Sequence, residues 1–142
     1  IYGRGRDKNV SSIARFVRRF GFFPIAGAGA GLRQPVHADD LAQAACAVLA
    51  SHITCGRSYN LGGGEALSYR RMVERIFESV GRGARVVSLP LGPLRLLLRA
   101  LRLVPRFRYV TPEMADRMSR DLVYDHADAV RDFGYSPRGF QP

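Results

Sequence analysis

Helical apolar patterns about a dozen residues long alternate along this chain with apolar runs too short for helices, and glycine or proline stands at most junctions. That punctuation limits the chain to short helices and short strands. From Asn9 to Phe20, Val10, Ile13, Ala14, Val17 and Phe20 recur on one stripe, with Arg15, Arg18 and Arg19 mostly off it, and Gly21 can close the helix in a left-handed conformation. "FFPIAG" reads as a strand whose Pro24 suits an edge, and "QPVHA" as a second. Asp39 or Asp40 is expected to cap a helix whose apolar face is Leu41, Ala44, Ala45, Val48 and Leu49. "RSYNLGGG" reads as a strand entering a glycine turn, and Ser68 to Val80 as a helix with Tyr69, Met72, Val73, Ile76, Phe77 and Val80 on its stripe, closed by Gly81. "ARVVSLP" is another strand. Pro93 opens a helix with leucines on one side and Arg95, Arg99, Arg102 and Arg106 on the other. Thr111-Pro112-Glu113 begins a fifth helix. "DLVYDHADAVRDFGYSP" supplies a strand and a short helix stopped by Gly134. The expected fold class is α/β, a single domain over residues 1–142 with several helices and short mixed strands, too few and too short for a complete doubly wound sheet.

The segment "GAGAGLRQP" imitates a dinucleotide fingerprint and fails its requirements. Gly27 and Gly29 fit, but Leu32 occupies the third glycine slot. Pro35 falls where the helix should run, and no acid lies between Asp40 and Glu65 to hold a ribose. The segment reads as a turning connection between two short strands. Neither a P-loop nor a Tyr-x-x-x-Lys pair occurs, and the one lysine is Lys8.

The 142 residues carry a net charge of +10. The arginines are dispersed, without an RNA-binding aromatic motif or a zinc-ligand cluster, so a nucleic-acid partner is not expected. Cys46 and Cys55 form no metal or redox motif. Cys46, in an alanine-rich helix, is expected to be a buried thiol, and a reducing cytoplasm is the expected compartment. "LPLGPLRLLLRALRLVP" is interrupted by Arg95, Arg99 and Arg102, short of the ~20 apolar residues that span a bilayer. It is read as a core helix with a solvated basic side, so a membrane partner is not expected; a basic amphipathic membrane-surface module is the third functional alternative. Ile1-Tyr2 reads as the tail of a strand, and the sequence is expected to be part of a longer protein.

The ordered series "IYGRGRDKN", "LRQPVHADDLAQA", "YNLGGGEALSYRRMVERI" and "DHADAVRDFGYSP" resembles the C-terminal half of the extended short-chain dehydrogenase/reductase family, which includes NAD-dependent nucleotide-sugar epimerases and dehydratases. The resemblance covers nearly the whole chain. It implies the substrate-binding portion of a Rossmann-type enzyme, with NAD or NADP held by an N-terminal part of the parent and none by these residues alone, and with no catalytic residue here. Implied partners are a small-molecule substrate such as a nucleotide-sugar, the N-terminal domain, and a second copy in a homodimer. By motif position, Arg33 matches an arginine that reaches a substrate pyrophosphate, a task suited to a planar fork of donors. Asn60 matches a position that hydrogen-bonds substrate in some members. The alternatives are an ion-paired surface arginine and a strand-end asparagine that satisfies backbone groups. The Leu/Arg helix followed by a capped helix also resembles atypical members such as the accessory subunit of respiratory complex I, which implies a scaffold or assembly role. His37 is expected to hydrogen-bond a neighbour rather than bind metal, and His52 and His126 to serve solvent or packing roles.

Overall fold

The computed structural model describes all residues except Arg4, Arg6, Lys8, Arg102 and 104–112. The stretch read as one domain divides into two compact units. One gathers Ile1–Ser12, Gln34–Ala66 and Val123–Pro142; the other holds Ile13–Arg33 and Leu67–Leu122. Of the expected fifth-helix start Thr111-Pro112-Glu113, Thr111 and Pro112 lie outside the described residues.

In the second unit, α1 (Val10–Phe20) buries Ile13 and Val17, as its stripe requires. Its first residues belong to the other unit. The chain turns at Gly21 (φ 74°) into β1 (Phe23–Ala26). β1 lies parallel to β4 (Val86–Leu89), Phe23 opposite Val86 and Ala26 opposite Leu89. Each belongs to a two-stranded sheet, so Pro24 sits on an edge where its missing N–H costs no ladder bond. A glycine turn leads to β2 (Leu32–Arg33), which pairs antiparallel with β3 (Leu67–Ser68). α3 (Tyr69–Ser79) follows, capped by the Ser68 hydroxyl, which accepts from Arg71 N at 3.2 Å. Its Val73, Ile76 and Phe77 are fully buried. Ile25, Ala26, Leu94, Leu98, Ala115 and Met118 form one core cluster, drawing together β1, α4 (Leu91–Leu101) and the region of α5 (Glu113–Arg117).

The first unit is held by α2 (Ala38–Leu49), a 3₁₀ turn at His52–Thr54 and α6 (Ala127–Phe133). Ala44, Ala129 and Tyr135 form its cluster, with Tyr59, Leu61 and Phe133 against it. Small residues at 44 and 129 let the helices approach closely. Gly134 ends α6 in the left-handed conformation (φ 68°), as its place after Phe133 foretells. Tyr2 is buried, edge-on to His37 and Phe140, and its hydroxyl donates to Gly139 O and accepts from Gln141 N.

Several expectations need correction. "QPVHA" and "RSYNLGGG" are not strands; β2 and β3 take two residues each beside them, and His37 makes only an isolated bridge with Tyr2. The α2 cap is neither Asp39 nor Asp40: His37 Nδ1 accepts from Asp39 N at 3.2 Å. Asp40 is instead buried, bonded to the Arg138 backbone N–H (3.0 Å) and guanidinium (2.7 Å). Cys46 is exposed, as is Cys55, because α2 buries only Asp40 and Ala44 and leaves apolar residues such as Leu49 (89% exposed) outward. The terminal segment contributes no named strand; Leu122 alone bridges Arg33. The Arg106 side of the Leu/Arg helix lies outside the described residues.

Candidate substrate-facing site

Arg33 owes its place to the glycine-containing turn before it. Gly27 (φ 54°) and Gly29 (φ 63°) reverse the chain after β1, and the turn delivers it into β2 rather than into a helix. A pyrophosphate cradle needs a helix N-terminus at that point. The residues here therefore do not fit a dinucleotide pyrophosphate, and the reading of the segment as an interstrand turn holds. A Cβ on Gly31 would stand 2.6 Å from Met118 O and 2.7 Å from Arg120 O, so glycine there lets β2 lie tight along residues 118–120. Leu32 N donates to Asp121 Oδ1 at 2.8 Å, and Leu122 N to Leu32 O at 2.9 Å.

Arg33 is half-buried in this fold. Its Nη1 donates to Leu32 O (2.7 Å) and Arg120 O (2.6 Å), and its Nη2 to Arg117 O. The guanidinium carbon lies 5.3 Å from the centre of the Tyr69 ring. Burial lowers the pKa of Arg33, while Tyr69 and Asp121 act in the opposite sense; an arginine so placed remains charged. Burial pushes the Tyr69 phenol up to about 12, and Arg33 opposes that rise. Among the described residues Arg33 makes no carboxylate ion pair. Of its five N–H groups, the Nε–H and one on Nη2 are not used by these carbonyls. Arg117 and Arg120 present backbone carbonyls to Arg33 and have exposed side chains.

Asn60 belongs to the other unit and is exposed. Its neighbours fix it: Tyr59 OH donates to Asp132 Oδ2 at 2.9 Å, and Leu61 packs against the Ala44 cluster. Next comes the glycine run. None of Gly62, Gly63 and Gly64 has positive φ, so the predicted glycine turn is absent. Gly63 is required by proximity: a Cβ there would overlap the Pro35 carbonyl oxygen. Gly62 and Gly64 are crowded in the same way by Gln34 and Pro137. Sequence reading missed Gln34, whose Nε2 donates to Gly63 O (3.0 Å) and whose Oε1 accepts from Tyr124 N (2.9 Å). It ties "RQPVH" to "LGGG"; its only sequence signal was its position beside Arg33. His126 lies 3.4 Å from Gln34 Nε2 and edge-on to Tyr135, a packing role as expected. A cleft of about 220 Å³ beside α2 and α6 is lined by Asp40, Gln43, Phe133 and Tyr135 among others, but Asp40 is committed to Arg138. Among the described residues no three His, Cys, Asp or Glu side chains gather as a metal site.

This architecture recurs in solved structures. The epimerase Mth375 of Methanothermobacter thermautotrophicus matches 93% of the chain with a TM-score of 0.66 at 20% identity, over 33% of its own length. The dTDP-glucose 4,6-dehydratase DesIV of Streptomyces venezuelae, solved with NAD and TYD bound, matches 94% with a TM-score of 0.58 at 22% identity, over 34% of its length. In fold, this chain belongs with the C-terminal portion of the Rossmann-type NAD-dependent epimerases and dehydratases. In sequence it is 32% identical over 141 residues, 97% of the chain, to the uncharacterized protein y4nG of Sinorhizobium fredii. It is 31% identical over 85 residues, 59% of the chain, to the mitochondrial NADH dehydrogenase [ubiquinone] 1 alpha subcomplex subunit 9 of Arabidopsis thaliana. It spans 34% and 21% of these two relatives. No family model matches the sequence.

Proposed function

We infer that this chain forms the substrate-facing part of an NAD(P)-dependent epimerase, dehydratase or reductase, and that Arg33 grips a phosphate of a nucleotide-linked sugar. One observation carries the reading: a half-buried guanidinium that bonds only neutral carbonyls, with two N–H groups left over and no carboxylate in ion-pair contact among the described residues. A phosphate oxygen is a stronger acceptor than a carbonyl and can take the remaining donors or displace Arg117 O and Arg120 O. Tyr69 backs the guanidinium plane and limits its rotation. Asn60, exposed in the other unit, carries a neutral amide that can hydrogen-bond a substrate. The dinucleotide and the proton-transferring pair come from sequence outside residues 1–142, so this part orients substrate and performs no chemical step.

The test is calorimetric titration of the full-length protein with UDP- and dTDP-sugars. Arg33→Ala should weaken binding ~10- to 100-fold, the loss expected for a charge-assisted pair, with NAD(H) affinity unchanged. Unchanged sugar-nucleotide affinity would remove the phosphate role.

A second reading is favoured by the relationship to the NADH dehydrogenase alpha-subcomplex subunit: a short-chain-dehydrogenase-like scaffold or assembly factor without turnover. Incubating full-length protein with NAD⁺ and nucleotide-sugars separates the two. Conversion of the sugar supports the enzyme; retained dinucleotide without conversion of any sugar supports the scaffold.

A further inference from the structure

The α4 helix is apolar on two sides. Leu94 and Leu98 enter the core beside Ile25 and Met118. Leu96, Leu97 and Leu103 do not: they are 68%, 43% and 85% exposed. At 100° per residue, Leu96 and Ala100 project opposite Leu94 and Leu98, with Leu97 on the rim of that outer strip, and Leu103 is exposed in the turn beyond the helix end. Arg95 and Arg99 lie on one flank between the two apolar faces. The sequence expectation of a core helix with a solvated basic side therefore describes half of this helix; its outward side is leucine, edged by arginine. An outward apolar strip rimmed by charge is the pattern of a contact surface.

The charge around it indicates what covers it. From Ser79 to Pro112 the sequence holds seven arginines and no aspartate or glutamate. Arg95 reaches outside that segment for Asp116, its Nε donating at 3.0 Å, whereas Arg99 is exposed with no ion pair among the described residues. A protein partner would need a concentrated acidic surface, and nucleic acid offers nothing to an outward leucine strip. An anionic lipid surface matches both features: leucines enter the acyl boundary while arginine stems lie along it and their heads meet headgroup phosphates. No helix among the described residues is long and apolar enough to cross a membrane, and α4, at 11 residues, would lie in the interface plane.

We propose that α4, with Leu103 just beyond its end, is a membrane-surface contact, binding anionic bilayers through Leu96, Leu97 and Leu103 with Arg99 at its edge. The proposal is independent of the Arg33 reading. The full-length protein should float with vesicles of 30 mol% phosphatidylserine in phosphatidylcholine at low salt and detach as salt rises. It should not float with phosphatidylcholine alone. The double variant Leu96→Asp/Leu97→Asp should lose flotation at least tenfold, and Arg99→Glu about fivefold. These side chains point away from the core, and circular dichroism melts of each variant confirm that the fold is retained; should the leucine variant melt early, Arg99→Glu and the salt series decide. No flotation on the acidic vesicles, or flotation indifferent to both variants, overturns the proposal. So does lipid-free light scattering that shows a dimer split by Leu96→Asp/Leu97→Asp without vesicle binding, since the strip would then be covered by a second copy.

Discussion

Tyr69 and Arg33 are the residues whose environments the fold changes most within the candidate site. The buried phenol, raised to about 12, stays protonated in the folded chain where an unfolded tyrosine ionises near 10. The folded state thus holds the proton more tightly. Its contribution to stability is complete below about pH 10 and is lost as the pH climbs through about 12. Alkaline melts should show that loss in the parent sequence. Tyr69→Phe should remove the share due to this phenol and eliminate one late-titrating tyrosine from the ultraviolet titration; an unaltered alkaline slope would mean the ring is not buried in solution. Tyr69 was legible as a helix-face residue from its spacing with Met72, Val73 and Ile76. Its contact with Arg33 was not, because the two are 36 positions apart in sequence and meet only through the β2–β3 pairing.

Among the elements, α2 shows how a correct helix can carry a wrong account of its start. The acids at Asp39 and Asp40 suit the positive end of a helix, and both lie in the first turn. The cap, however, is His37, and Asp40 turns inward to Arg138, 98 residues away. Removing the carboxylate strands the Arg138 backbone N–H and loosens its guanidinium. Asp40→Ala should therefore lower stability by about 2 kcal/mol in urea unfolding, whereas a mere capping acid exchanged in the first turn would cost less than ~1. The glycine run after Leu61 makes a similar point. Its composition suggests a turn, yet crowding rather than φ requires Gly63. Gly63→Ala should destabilise by about 1–3 kcal/mol, because the methyl must push the Pro35 carbonyl aside. A stabilised variant, which relief of unfolded-chain entropy alone would give, would show that the crowding is absent in solution.

For the whole molecule, the order of elements was readable and their assembly was not. α1 and α3 each carried an apolar stripe and a glycine or serine at an end, and these are local properties. The two units are each woven from separated stretches: residues 1–12, 34–66 and 123–142 in one, 13–33 and 67–122 in the other. No local signal marks such a division. The family resemblance was legible because "RQPVHADDLA" and "YNLGGGEALSY" occur in order, and the shared fold agrees with it. The outward leucines of α4 were hidden for a related reason. Six leucines or arginines in succession, Leu94 to Arg99, followed by Ala100 and Leu101, fill every direction around the axis, so periodicity could not say which side entered the core.

The sequence by itself determined where helices form, where glycines stop them, and that the Gly27–Gly29 turn is no dinucleotide cradle, since each rests on the conformational limits of neighbouring residues. Tertiary structure alone decided that Arg33 rests on carbonyls beside Tyr69, that Asp40 grips Arg138, that Cys46 faces outward and that α4 offers leucines to its surroundings. Those outcomes depend on which distant segments come into contact, and burial and charge compensation are properties of that contact rather than of any residue alone.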